Sequence, residues 1–151
     1  MIARTMLKSR SSTPDIAALQ ELLRGAGLRS TSARIAVLRR LRSAKSPLSH
    51  SELAEELTPL GLDKATVFRN LTDLTDAGLV VRTELGDHVW RFEIHDHAHG
   101  GKGTHPHFVC ITCGSVTCLG GVKLPPRITA RGKAVGSVTE VLFRGYCKSC
   151  E

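Results

Sequence analysis

The chain has 151 residues, 41% of them hydrophobic and 23% charged, the balance of a soluble globular protein with one ordinary domain or two small ones. Its longest apolar runs, Ile35–Leu38 and Phe108–Ile111, fall far short of the roughly 20 residues a membrane helix needs, which excludes an integral helical membrane protein. The net charge is +7, and seven cations with no acid lie between Arg24 and Lys45, a pattern that suits a polyanionic partner better than a merely solvated face.

Residues 1–13 carry positive charge but no apolar core of a secretory signal. Their Arg/Ser-rich, acid-free composition is shared with transit peptides, and they read as a disordered basic tail, which leaves a cytoplasmic protein. Residues 14–94 then read as a winged helix-turn-helix. Thr13 and Pro14 open a first helix with Ile16, Leu19, Leu22 and Leu23 on one face, ended by Gly25 and Gly27. A second helix starts at Thr31, with Ile35, Leu38 and Leu41 inward. Ser49-His50-Ser51-Glu52 is a capping box for a third helix, which buries Leu53 and Leu57 and stops at Gly61. Asp63 caps a fourth, with Val67, Leu71 and Leu74 inward as far as Gly78. Leu79–Thr83 and His88–Phe92 alternate around Gly86-Asp87 and predict a hairpin.

Residues 95–104 form a His/Gly-rich hinge, and with His105 and His107 the stretch holds five of the seven histidines. In residues 105–151, Phe108–Ile111 and Val138–Phe143 read as strands, and Pro125-Pro126 opens a short helix reaching about Val135. That is too little core for independent stability without a metal or a second copy.

Three constellations carry chemistry. Cys110/Cys113 and Cys147/Cys150 are two C-x-x-C pairs, 33 residues apart, and each can grip one metal from a tight turn. Together they would complete a closed, structural zinc shell of four sulfurs; a redox dithiol or an iron centre is the alternative. Glu93, His105, His107 and Cys118 form a second, mixed N/S/O set. The two histidines at i and i+2 project to one side of an extended segment, and the turn at Cys113–Gly114 brings Cys118 back beside them. Such a set favours zinc over magnesium or calcium and suits ferrous iron less well. Cys118 as a small buried apolar group and Glu93 as a solvated strand-end acid are the plainer readings. Third, the fourth helix begins with Lys64, Thr66, Phe68 and Arg69, the residues a recognition helix would present to base edges and phosphates. Arg29 and Arg34 precede it within the acid-free run, as cations for a polyanionic partner. No nucleophile elbow, Walker loop or His-Glu-x-x-His occurs, so no enzyme is expected.

Gly27-Leu28-Arg29-x-Thr31-x-x-Arg34, Ala65-Thr66-Val67-Phe68-Arg69-x-Leu71, Ala77-Gly78-Leu79-Val80, His105-x-His107-x-x-Cys110-x-x-Cys113-Gly114 and Gly145-x-Cys147-x-x-Cys150 occur in this order. In this the chain resembles the ferric uptake regulator family of bacterial metal-responsive repressors. The resemblance implies an α+β protein: an N-terminal winged helix-turn-helix, then a small α/β dimerisation domain with an antiparallel sheet and a four-cysteine zinc site. It further implies a homodimer that binds a palindromic double-stranded DNA operator when a second divalent metal occupies an interdomain site. Arg29 matches the residue the family inserts into the minor groove, and Phe68-Arg69 match its Tyr-Arg reading pair. Glu93, His105 and His107 match regulatory ligands. Cys118 stands where the family usually has Glu or Asp, which tilts the regulatory ion toward Zn2+, as in the zinc uptake branch, over Fe2+. Pro47 and Pro106 replace a further histidine and an aspartate of the family pattern, leaving His50, His88 and His95–His99 open as extra ligands. No small-molecule substrate is implied. The reading of different class is a zinc-binding thiol redox or metal-storage protein without operator specificity.

Overall fold

The computed structural model describes residues 16–95, 105–138 and 140–151. The expected tail, the Thr13-Pro14 helix start, and His97 and His99 lie outside them.

The N-terminal half is built from α1 (Ile16–Gly25), α2 (Ser32–Ser43), β1 (Leu48–Ser49), α3 (His50–Leu57), α4 (Lys64–Asp76), β2 (Val80–Glu84) and β3 (Trp90–Ile94). The caps are those the sequence encodes. Thr31 accepts from the Arg34 amide, Ser49 and Glu52 form the reciprocal capping box, and Asp63 accepts from the Thr66 amide at 2.8 Å. Each satisfies backbone donors that a helix start leaves without partners, a contribution of about 1 kcal/mol for a typical cap. The inward leucines and valines of all four helices meet Leu48, Val80 and Phe92 in one continuous core. Its members Leu19, Leu23, Val37, Leu38, Leu53, Val67, Leu71 and Leu74 are completely buried, and a buried side chain of this size stabilises by roughly 1.5–3 kcal/mol. Ile16 and Leu22, expected on the same face of α1, remain 50% and 37% exposed, because α1 rests on α2 and only a narrow stripe is covered. The expected hairpin is present as β2 and β3, with Arg82 opposite Phe92. It gains a strand that the sequence reading missed: β1 pairs antiparallel with β3, Leu48 opposite Phe92, which ties the α2–α3 connection to the wing.

The C-terminal part consists of β4 (His107–Cys110), β5 (Val116–Cys118), α5 (Pro126–Val135) and β6 (Leu142–Gly145). Strands β4 and β5 are antiparallel around the Cys113–Gly114 turn, placing His107 directly opposite Cys118. On its other edge β4 pairs with β6 in parallel, His107 opposite Leu142 and Cys110 opposite Gly145. A parallel partner needs a crossover, and the segment containing α5 provides it. The last strand lies later than Val138–Phe143, because its ladder to β4 begins only where the chain reaches His107: the His107 amide bonds to Val141 O, then Leu142 pairs.

The two parts meet at the wing. Arg144 Nη2 on β6 donates to Leu85 O at 2.8 Å, across the turn that joins β2 and β3. Gly86 there has φ +88, and a Cβ on it would come within 2.6 Å of the Arg144 guanidinium. Glycine adopts this left-handed backbone without strain and leaves room for that approach.

Candidate functional site

Glu93 lies on the central wing strand β3, His105 just before β4, His107 at its start and Cys118 at the end of β5. The fold brings one ligand atom from each of these four within 4.8 Å of the others. Three features fit a cation there. Glu93 spans the two imidazoles, Oε2 at 3.0 Å from His105 Nε2 and Oε1 at 3.2 Å from His107 Nε2. His107 is 3% exposed, yet its close approach to Glu93 is not aligned for a hydrogen bond, so that neither ring nitrogen has a hydrogen-bond partner. Two orphaned nitrogens in one buried ring are costly in a purely organic setting, and an ion at Nε2 would satisfy one of them. Burial, and more weakly the Glu93 charge, hold the Cys118 thiol above its usual range; a nearby cation would reverse that preference. The site opens onto a cavity of about 620 Å3, lined by Leu22, Arg42, Lys45 and Leu79 among others.

The four paired cysteines also converge, from the β4–β5 turn and the turn after β6, with sulfurs within 4.8 Å of one another. All are free thiols. Cys113 Sγ and Cys147 Sγ are 3.8 Å apart, matching the roughly 3.8 Å edge of a tetrahedron with metal–sulfur bonds of about 2.3 Å. The amides of Cys113 and Cys147 lower the Cys110 thiol to about 6, whereas hydrogen bonding to the Cys147 and Cys113 sulfurs pushes Cys150 up to about 12. Four sulfurs this close cannot all ionise without a cation among them, and a divalent ion supplies that charge.

Lys64, Phe68 and Arg69 are exposed at the start of α4, and Thr66 is half-buried with its hydroxyl donating to Asp63 Oδ2. Arg29 is exposed in the α1–α2 connection. Arg34 is placed differently: its Nη2 is 2.6 Å from Asp73 Oδ2 on α4 and its Nη1 donates to Arg29 O at 3.0 Å. It braces the Arg29 loop against α4 instead of standing free. His50 bonds Lys64 O and meets the Phe68 ring edge-on, while His95 Nδ1 lies 3.0 Å from Gly78 O. Among the described residues, neither these nor His88 joins a cluster of three or more metal-ligating groups.

The sequence reading missed two residues here. Trp90 on the wing is 49% exposed with the Arg82 guanidinium stacked 4.2 Å from its ring, and both line a cavity of about 430 Å3 shared with Phe68. Glu140, just ahead of β6, has a buried Oε1 with no hydrogen-bond partner. Its one sequence signal is that it is the sole acid between His105 and Cys150.

A family model, the ferric uptake regulator family, matches residues 25–130. The peroxide-responsive repressor PerR of Staphylococcus epidermidis is 33% identical over 96 residues, 62% of this chain and 60% of that protein. The match thus spans about three fifths of the curated relative. The ferric uptake regulator of Vibrio cholerae, whose structure shows rearranged DNA-binding domains, superposes with a TM-score of 0.66 and 29% identity, covering 85% of this chain and 98% of the other. The manganese-containing regulator of Pseudomonas aeruginosa gives 0.63 and 28%, covering 86% and 98%. With a winged helix leading into a small cysteine-clustered sheet and the family model matching 25–130, more than half of the chain, the chain belongs to the ferric uptake regulator family.

Proposed function

We propose that the chain is a metal-dependent transcriptional repressor of metal-homeostasis genes. In this reading residues 14–94 are its DNA-binding domain, 95–104 a hinge and 105–151 a metal-binding dimerisation domain. The observation that carries it is the ligand set itself: Glu93 comes from the wing sheet, whereas His105, His107 and Cys118 come from the C-terminal part. A divalent ion supplies one positive centre that all four donors share. Glu93 holds the wing end of that link, and the three C-terminal ligands hold the other, so joining them selects one orientation of the two parts. With an ion bound, these four ligands would favour that orientation only by as much as they hold the ion better in it. The thiol of Cys118 favours zinc over ferrous iron. Cys110, Cys113, Cys147 and Cys150 hold a separate structural zinc.

In a homodimer, that orientation sets the spacing of the two α4 helices against a palindromic operator. Exposed Ile111, Ile128, Val135, Phe143 and Tyr146 support a second copy on the C-terminal part. Lys64, Thr66, Phe68 and Arg69 face DNA, Arg29 reaches its backbone or minor groove, and Arg34 positions Arg29. No helix among the described residues is long and apolar enough to cross a membrane; a protein that binds an operator would act in the cytoplasm.

The test is fluorescence anisotropy on a duplex selected from random DNA by the zinc-loaded chain, with scrambled duplex as control. Zinc should raise affinity for the selected duplex at least tenfold, and a chelator should reverse it. Association that ignores zinc and follows only salt would instead favour a zinc-binding thiol protein without operator specificity.

A further inference from the structure

The C-terminal segment from His105 onward contains six cations, and apart from the terminal Glu151 its one acid is Glu140. An acid in such surroundings would ordinarily sit at the surface paired with Arg or Lys. Glu140 instead is half-buried, with Oε1 sealed from solvent and without a hydrogen-bond partner. Burial holds its carboxyl above the usual carboxylate range; of the charges that act on it, His107 favours its ionised form, and Glu84 and Glu93 oppose it.

The register explains why it comes to this place. Leu142 is the parallel partner of His107, and the His107 amide bonds to Val141 O. Side chains two apart along an extended chain share a face, so Glu140 shares the His107 face of this sheet, one step before the ladder. His107 Nε2 is the nitrogen beside Glu93, which leaves Nδ1 as a second buried ring nitrogen without a partner. A metal-bound imidazole needs an acceptor for its other N–H; a carboxylate there fixes the tautomer and strengthens the ligand.

We propose that Glu140 is that acceptor: a positioning residue that receives His107 Nδ1–H when Nε2 holds the regulatory ion. The role rests on the assignment of Glu93, His105, His107 and Cys118 as the regulatory site, and it gives β6 a part in metal sensing. Glu140 orients a ligand and does not itself bind the ion.

The test is zinc and cobalt titration of the full chain with its four-cysteine site already loaded, read by competition with a chromophoric chelator and by the cobalt absorption spectrum. Glu140→Ala should weaken binding of the second ion 10- to 100-fold while the first ion stays bound. Glu140→Gln, which keeps an acceptor oxygen, should recover affinity to within about threefold of the unaltered chain and restore its cobalt spectrum. Glu140→Ala binding as tightly as the unaltered chain would overturn the proposal. So would equal losses in the Ala and Gln variants, the result expected of a direct ligand. If the unaltered chain bound no second ion, the regulatory site itself would be wrong, and the role of Glu140 with it.

Discussion

The N-terminal and C-terminal parts are held together by different physics. In the first, thirteen residues of α1–α4 and the wing sheet form one apolar core. In residues 105–151, Pro106 and Cys110 are the fully buried apolar side chains among the described residues, and Ile111, Val122, Ile128, Val135, Val138, Phe143 and Tyr146 remain exposed. Hydrophobic burial therefore organises one half, and the other is left with converging donor atoms and uncovered apolar surface. A repressor of the proposed kind can use that difference: a stable reading head can be joined to a part whose order depends on metal.

Removing the cross-link should break the contrast most severely. Cys147→Ser should lose the structural zinc and with it the hydrogen-exchange protection of residues 105–151, while residues 16–95 keep theirs. Structural zinc contributes on the order of 10 kcal/mol in small metal-organised units. A metal-free variant with a fully protected C-terminal part would show that its apolar contacts suffice. The converse change is Leu71→Ala, which should destabilise the helical half by about 2–5 kcal/mol in denaturant unfolding and leave the zinc count unchanged. A smaller loss would mean that the surrounding leucines collapse into the space.

The exposed face of the helical half should respond without any change in fold. Arg69→Ala should cost roughly 1–3 kcal/mol of discrimination between selected and mutated duplex, measured by competition binding. Equal losses on specific and random DNA would remove its reading role. His107→Ala tests the link between halves: the variant should stay folded, keep its structural zinc and bind DNA with no tenfold gain from added zinc. Full metal stimulation in that variant would move the sensor elsewhere.

The smallest effect concerns the cap of α4. The Thr66 amide and hydroxyl hold the Asp63 carboxyl below its usual value near 3.8. A depressed folded value means that the cap contributes fully above the ordinary carboxylate range and is lost as pH falls through the lowered value. Asp63→Asn should therefore flatten the acid limb of the stability profile, as read by thermal melting between pH 5 and 2.

Local signals made the helical half legible. Thr31, Ser49, Glu52 and Asp63 cap the helices at the positions their spacing predicts, and the inward residues of α2, α3 and α4 follow the helical period, because both depend on neighbours within one or two turns. The two-residue strand β1 carries no periodicity of its own and exists only because β3 is beside it. Arg34 illustrates the same boundary. Its place in an acid-free run suits a polyanionic partner, and the structure adds an ion pair with Asp73, 39 residues away, that no local pattern encodes.

Spacing marked six of the eight donor residues, since C-x-x-C and His-x-His are local patterns with few chemical uses; Glu93 and Cys118 had plainer readings, and it was the family resemblance that favoured Glu93 as a ligand. Spacing did not reveal that β6 returns parallel to β4, that Arg144 reaches Leu85, or that Glu140 lies on the His107 face. Those depend on a crossover that closes a long loop, and nothing in a short window of sequence encodes which edge the returning strand will choose. The sequence by itself determined the paired cysteines, the His-x-His pair and the capped helix α4, because those patterns are local; the tertiary structure decided that β6 returns beside β4 and carries Glu140, just ahead of it, toward His107, because strand pairing is not local.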